Sequence, residues 1–446
     1  MARLVCRILA SLCMILLFGS CVMEYAPDME DTDYAEISSN NVTLLLNIKP
    51  LAASSSSSVV NPTEKIKTLR VIIIGKGENE SLPDTIECNR LFDIPEPVAK
   101  DFSYIVRWNS NSGHKDIFVI ANEGSVDDGL TTLLEGFEEN ELTSDFMRRV
   151  NDYYFTPQYT ADDKNNIFLP YTFSQQDIVP KAGVVNTVNA WLIPVATKFV
   201  FNFVNYRPAA MKVNEISMKY ANKANYLLAH PGPDELEKEY NGKMMGWADW
   251  LAEISNNSWL YPDFGPNQDY NDEVGWIVDY ELPNPTDKAK YTFFNTNVAG
   301  EVFKVDAGTT TEKDGVETTD PGRRSTPVYY LPESANFELL GADQSGQTTP
   351  GGDGQDEEPA EQRFYLTMRF EDTAAAASTP PVFEDVAIPN LKALFRNTYV
   401  IINVTMSEGD IELYAEIADW NHKTANGWVN EGNAPSNNPF TIRKKW

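Results

Sequence analysis

The chain has 446 residues, with 36 basic against 65 acidic side chains and a formal charge of −29. That balance excludes nucleic acid as a partner, because a phosphate backbone demands a basic surface, and it leaves an anionic leaflet nothing to attract. The cysteines are Cys6, Cys13, Cys21 and Cys88, and with three of them so close to the start no intrachain disulfide framework is available, so stability has to come from an apolar core.

Arg3 and Arg7 lead into an apolar run from Ile8 to Phe18 that closes on Gly19-Ser20-Cys21. A basic start, an apolar centre and small residues before a cut describe a secretory signal peptide over residues 1–20. The run is shorter than the roughly 20 apolar residues of a spanning helix. The Cys after Gly-Ser resembles a bacterial lipobox, in which the thiol is acylated and becomes the new N-terminus. The alternative is an ordinary signal peptide with a chance Cys. On the lipobox reading, Cys21 carries palmitate-type chains and an exported protein hangs from the outer membrane by lipid. Residues 21–40 hold Glu24, Asp28, Glu30, Asp31, Asp33 and Glu36 and no basic residue. Such a stretch reads as a flexible tether, and it also resembles the acidic signal that sends some Gram-negative lipoproteins to the cell surface.

Next, Val42, Leu44, Leu46 and Ile48 alternate with polar or outward positions, the period of a half-buried strand, and Pro50 ends the run. The five serines Ser54–Ser58 form a low-complexity loop. A second strand, Thr68 to Ile74, stops at Gly75-Lys76-Gly77. This imitates the start of a dinucleotide loop, but Glu80 replaces the third glycine and no helix-forming run follows. Strands are expected at Phe102–Trp108 and Lys115–Asn122. Leu130, Leu133, Leu134 and Phe137 repeat at helical spacing behind Asp127 and Asp128, which suit a helix N-terminus. Cys88 reads as a small buried apolar group rather than a nucleophile, since only His114, His230 and His422 exist to activate it.

A domain boundary is expected just before the apolar stretch Val188–Phe203, which only Pro194 interrupts. Residues 41–186 then form an N-terminal β-sandwich domain and residues 187–446 a C-terminal one. Rings crowd residues 240–280 (Trp247, Trp250, Trp259, Tyr261 and others). They suit either a glycan-stacking surface or an insertion packed on its own aromatics, and the second is preferred. Residues 341–362 are rich in Gly, Gln, Asp, Glu and Pro and read as a disordered loop. Thr398–Met406 and Ile411–Ile417, joined by Ser407-Glu408-Gly409-Asp410, make the plainest hairpin. Trp420 closes it, and a polar tail runs from Asn421 to Trp446. Short strands with little helical periodicity mean an all-β sandwich class.

No His-Glu-x-x-His, Cys-x-x-Cys or Gly-x-Ser-x-Gly occurs, so catalytic and metal residues are expected to be none and no cofactor is implied. Clusters such as Glu317-Thr318-Thr319-Asp320 lack the ligand spacing of a calcium loop.

In order and spacing, these elements resemble the fimbrillins of type V pili. The resemblance is carried by the lipobox and by Leu69-Arg70-Val71-Ile72-Ile73. It continues in Ile117-Phe118-Val119-Ile120-Ala121-Asn122, Leu169-Pro170-Tyr171-Thr172 and Val195-Ala196-Thr197-Lys198-Phe199. Pro327 to Glu333, with its Tyr-x-x-Glu ending, and Arg396-Asn397-Thr398-Tyr399-Val400-Ile401-Ile402-Asn403-Val404 complete it. It implies two tandem transthyretin-like β-sandwich domains in a non-enzymatic, cell-surface fimbrial subunit. Its partners would be other fimbrial subunits and a host or microbial surface. It also implies assembly by strand exchange: a protease removes the first strand, and a neighbour's C-terminal strand fills the groove. Val42, Leu44, Leu46 and Ile48 match the removable strand. One departure is that the loop Lys49–Glu64 contains no Arg, at which the family's protease cuts. The chain is then an anchor or accessory subunit that keeps its strand, or a stalk subunit cut by another enzyme. The alternative function is a surface lipoprotein that captures glycans through residues 240–280.

Overall fold

A computed structural model describes residues 24–25, 41–50, 62–77, 83–98, 103–143, 145–157, 168–230, 237–240, 243–246, 289–299, 302–335, 364–373, 382–388, 393–419 and 441–445. The fold of these residues is all-β, as the patterning implies. Cys21, the serine run, Trp247 to Tyr280, residues 341–362 and Trp420 lie outside them, as does most of the acidic stretch 21–40.

The N-terminal part is a nine-stranded sheet. Its members are β1 (Glu24–Tyr25), β2 (Asn41–Pro50), β3 (Ile66–Gly75), β4 (Asp84–Val98), β5 (Ser103–Asn111), β6 (Lys115–Ala121), β7 (Leu142–Thr143), β9 (Tyr171–Ile178) and β10 (Val185–Pro194). The spatial order is β1-β5-β2-β10-β9-β6-β3-β4-β7. Strand β10 serves both halves: Val185–Leu192 pair parallel with β2, and Ile193–Pro194 pair antiparallel with β9. Leu44, Leu46, Val106 and Val188 from one half meet Leu69, Val71, Ile117 and Val119 from the other in one buried cluster, so the sheet closes over its own core.

Strands β3 and β6 are buried on both faces, which explains their unbroken apolar runs. On the outer side, Ile72, Ile74, Phe118 and Ile120 are covered by Leu130 and Leu134 of helix α1 (Asp128–Glu135) and by Phe146 and Val150 of helix α2 (Phe146–Asn151). Helix α1 starts where the acidic pair and the spacing place it. The Asp127 carboxylate accepts from the Leu130 N–H at 2.7 Å, a cap of about 1 kcal/mol.

Gly75 has a packing reason. A Cβ there would collide with the Glu87 carboxylate, which lies against the backbone to reach Lys115 Nζ at 2.6 Å. Lys76 pairs with Asp84 at 3.0 Å and with Asp116 at 3.2 Å. The Gly-Lys-Gly stretch therefore belongs to a polar network at one end of the sheet.

The C-terminal part has two larger sheets. One contains β11 (Thr197–Asn205), β20 (Gly322–Ser325), β21 (Tyr329–Leu331), β26 (Thr398–Ser407), β27 (Asp410–Asp419) and β28 (Thr441–Lys445), with β11 between β20 and β26 and with β27 and β28 beyond. The other contains β12 (Met211–Ala221), β16 (Ala289–Asn295), β17 (Phe303–Val305), β23 (Tyr365–Asp372) and β24 (Val382–Ala387). Phe199, Phe201, Phe203, Val400, Ile402 and Val404 of the first pack with Val213, Ile216, Met218, Leu366, Met368 and Phe370 of the second. The β26–β27 hairpin runs in register from Thr398↔Asp419 to Ser407↔Asp410. Gly409 holds φ at 83° in its turn, a conformation glycine adopts without penalty. Inside the stretch read as a polar tail, Thr441–Lys445 form β28 and extend the hairpin's edge.

Four two-stranded pairs complete the description: β8 (Tyr154–Phe155) with β13 (Asn225–Tyr226), β14 (Glu237–Tyr240) with β15 (Lys243–Gly246), β18 (Thr309–Lys313) with β19 (Val316–Asp320), and β22 (Ser334–Ala335) with β25 (Ala393–Leu394).

Candidate functional site

The alternation of β2 puts Val42, Leu44, Leu46 and Ile48 on one face, and all four are buried, at 1% exposure or less. Burying each such side chain stabilises by roughly 1.5–3 kcal/mol. The strand lies inside the sheet, antiparallel to β5 and parallel to β10. Leu44, Leu46 and Ile48 sit across from Trp108, Val106 and Tyr104 on one side and from Asn186, Val188 and Ala190 on the other. Both backbone edges of β2 are therefore hydrogen-bonded. Taking it away would open a groove lined by β5 and β10, with apolar walls and unpaired backbone groups.

The outward face of β2 is different. Thr43, Leu45, Asn47 and Lys49 are partly exposed. Thr43 Oγ1 donates to Asn109 Oδ1 of β5 at 3.0 Å, and Asn47 Nδ2 donates to Asn189 Oδ1 of β10 at 3.1 Å. Ser103 Oγ donates to Asn47 Oδ1 at 3.3 Å. Residues 51–61 connect β2 to a 3-10 turn at Pro62–Glu64, so no tight turn joins β2 to β3.

That turn is firmly seated. Glu64 pairs with Lys198 Nζ of β11 at 2.7 Å and accepts from the Tyr330 hydroxyl at 2.8 Å, while the Tyr171 hydroxyl donates to the Glu64 carbonyl at 2.9 Å. Lys198 also stands 5.2 Å over the Tyr399 ring. Burial, with the nearby Glu64 carboxylate second, holds Tyr171 and Tyr330 well above the ordinary phenol value of 10.0 and raises Tyr399 too. These phenols bind their protons more tightly folded than unfolded. The stability they contribute is complete below pH 10 and is lost as pH rises beyond it. In an alkaline titration followed by tyrosinate absorbance, a set of phenols is expected to ionise only together with unfolding, above the range of the exposed tyrosines.

Other residues that carry the family resemblance have visible work. Asn122 adopts φ 57° behind β6. Its side chain accepts from the Lys67 N–H at 2.8 Å and donates to the carbonyls of Lys65 at 2.9 Å and Leu169 at 2.7 Å. Arg70 forks onto the buried Glu123 carboxylate, with Nε at 2.5 Å and Nη2 at 2.7 Å. Arg396 is wholly buried. Its Nη2 reaches Glu333 Oε2 at 2.5 Å and the Tyr226 carbonyl at 2.9 Å, and its Nη1 reaches the Leu227 carbonyl at 3.1 Å. Tyr330 and Glu333 of the Tyr-x-x-Glu ending thus face Glu64 and Arg396 respectively.

Cys88 is buried with no exposure, and desolvation pushes its thiol up to about 12. Only the thiolate reacts. Iodoacetamide at pH 8 is therefore expected to leave Cys88 unlabelled in the folded chain and to alkylate it fully in urea, as read by intact mass.

Among the described residues, no group of three or more His, Cys, Asp or Glu is placed to hold a metal, and no helix is long and apolar enough to cross a membrane. Glu317-Thr318-Thr319-Asp320 lie on the exposed β18–β19 hairpin. Cys21, the lipidation candidate, lies outside the described residues, as do the side chains of the ring-rich 240–280 region.

No family model matches the chain, and no curated protein matches it. Among solved structures, the chain is similar to the tip fimbrial protein Mfa3 from Porphyromonas gingivalis with a C-terminal truncation, with a TM-score of 0.42 and 12% identity over 85% of this chain and 100% of that one. It is also similar to a fimbrial assembly protein from Parabacteroides distasonis, with a TM-score of 0.36 and 8% identity over 84% of this chain and 94% of that one.

Proposed function

We propose that this chain is a structural, non-enzymatic subunit of a cell-surface fimbria of the type V kind. On this reading it is exported as a lipoprotein through Cys21, assembled with other fimbrial subunits by strand exchange, and used in adhesion. The observation that carries the proposal is the position of β2, an interior strand with four buried apolar residues and no tight turn into β3. A strand seated between two neighbours can be withdrawn once the chain beside it is cut, and replaced by a strand of the same pattern, which restores both the apolar contacts and the backbone bonds.

The seating of Glu64 supports the same reading, because it fixes the chain just after the candidate release segment to β11. The residues from Thr63 onward can then stay in place when β2 leaves. Within this reading we draw the junction of the two domains at Val195-Ala196, a choice supported by the pairing of β10 with β2 and β9 along its length. The first is then 41–194 and the second 197–446.

The test is N-terminal sequencing of the protein from cells, together with electron microscopy of the surface with and without the gene. Loss of fibres on deletion is the expected result; unchanged fibres overturn the subunit reading. An N-terminus within residues 51–61 supports removal of β2, while one at residue 21 identifies a subunit that keeps its strand. For the lipid anchor, Cys21→Ala is expected to abolish incorporation of a palmitate analogue, and unchanged label would refute it.

A further inference from the structure

The two walls of the β2 groove are held differently. Among the described residues β5 pairs with two strands only, β2 along Asn41–Ile48 and β1 at Ser103 and Tyr104. Both precede residues 51–61 in the chain, so a cut there that withdraws β2 releases β1 with it. Strand β10 differs, because its Ile193 and Pro194 also pair with β9. One wall of the groove therefore stays in the sheet while the other loses its ladder, and a strand without a ladder keeps its place through side chains. Such contacts exist, and they run to β4. Tyr104, Val106, Trp108 and Ser110 alternate on one face of β5, at the rungs of the buried residues of β2, and three of the four reach across to β4. The Tyr104 ring lies 5.7 Å from that of Phe92. The Arg90 guanidinium stands 4.7 Å from the Trp108 ring centroid. The Ser110 hydroxyl donates to Glu87 Oε2, while Glu87 Oε1 accepts from Nζ of Lys115, the first residue of β6, at 2.6 Å. Tyr104, Ser110 and Lys115 are buried. The contacts match 104 with 92, 108 with 90 and 110 with 87, so β5 and β4 run antiparallel across a seam in which no ladder joins the described residues.

We propose that this seam holds β5 in place while the first strand is absent, and so keeps the groove formed for a replacement strand. The inference rests on the strand-exchange reading. Glu87, Arg90 and Phe92 are positioning residues: they lie on β4, which does not pair with β2, and they act on an incoming strand through β5. Ring contacts and a cation over an aromatic face suit this task, because they need no backbone partner. With β2 seated, its ladder also holds β5 and the seam is redundant. With β2 gone, the seam is the main tie beyond the chain connections at the two ends of β5.

The test uses the full chain carrying Cys21→Ser and Leu46→Asp, which drives β2 from its groove, and a fluorescent peptide with the sequence of Asn41–Pro50. This chain is expected to capture the peptide, as read by fluorescence anisotropy. Adding Arg90→Ala with Phe92→Ala should weaken capture about tenfold, the combined worth of a ring pair and a cation over a ring. Adding Arg90→Lys with Phe92→Tyr instead, which keeps a cation and a ring, should leave capture as in Leu46→Asp alone. With Leu46 restored, Arg90→Ala with Phe92→Ala should leave β2 as protected from hydrogen exchange as in the parent chain. Equal capture by all the Leu46→Asp chains overturns the proposal, and so does failure of Leu46→Asp alone to capture the peptide. Loss of β2 protection in Arg90→Ala with Phe92→Ala when Leu46 is in place also overturns it, because the two residues would then be general supports of the fold. Global unfolding of the chain with Leu46→Asp, Arg90→Ala and Phe92→Ala, read as lost protection in β11 and β26, counts against it for the same reason. These readouts do not depend on fibres or on the cellular N-terminus, so failure here and failure of the fimbrial reading are separable.

Discussion

Arg396→Ala is expected to destabilise the protein by about 3–5 kcal/mol, the range for breaking a buried ion pair by removing one partner. The guanidinium is fully buried, and the Glu333 carboxylate that it meets at 2.5 Å is 2% exposed. Truncation leaves that carboxylate buried without its guanidinium and takes a donor from the carbonyls of Tyr226 and Leu227. It also loosens the join between the two parts of the chain, because Arg396 Nη1 reaches Thr172 Oγ1 of β9 at 3.5 Å from the residue before Asn397, whose N–H donates to the Ala196 carbonyl at 3.0 Å. Adding Glu333→Gln to Arg396→Ala should recover part of the loss, since a buried amide is less costly than a buried charge lacking its partner. Urea unfolding followed by tryptophan fluorescence measures both. A double variant that loses the full sum of the two single losses would show that the two residues act independently.

How much of this architecture can be read from residues depends on which force shaped each element. Strand β2 and the β26–β27 hairpin have one buried face, and their period of two is plain. Strands β3 and β6 are buried on both faces, so they show as apolar runs whose type is decided by β-branched residues. Strand β12 has a buried face too, but its register with β23 shifts between Val213 and Glu215. The buried positions Met211 and Val213 therefore continue as Ile216 and Met218, and the irregularity hides the alternation. The β18–β19 hairpin is exposed at every position but Thr319, which is half-buried. It has no apolar pattern to read, and its signal is the turn Asp314-Gly315, both at positive φ. At the candidate site, the inward residues of β2 follow from alternation alone. Its partners do not: pairing with β10 is parallel and joins segments distant in sequence, and the Asn47–Asn189 contact exists only once that pairing has formed. Arg396 and Glu333 stand out in the sequence as motif residues, but only the fold shows that they belong to one buried pair.

The second large effect separates the two faces of β2. Leu46 lies across from Val106 on β5 and Val188 on β10, both buried. Leu45, its neighbour, lies across from Arg107 and Thr187, both exposed. Leu46→Asp therefore puts a carboxylate between two valines in the core, a change that costs several kcal/mol. It exceeds the roughly 1.5–3 kcal/mol that the side chain contributes by burial. The strand should leave its groove, because its other inner residues cannot be seated without seating the charge. Leu45→Asp puts the same charge beside the Arg107 guanidinium, where opposite charges on paired strands contribute about 0.2–1 kcal/mol, so stability should be unchanged or slightly raised. Hydrogen exchange by mass spectrometry distinguishes the two. In Leu46→Asp, peptides from β2, and with them the facing edges of β5 and β10, are expected to exchange rapidly while β11 and β26 stay protected. In Leu45→Asp all should match the parent chain. Equal protection of β2 in both variants would mean that Leu46 does not face the core and that the groove between β5 and β10 is not where the first strand is held.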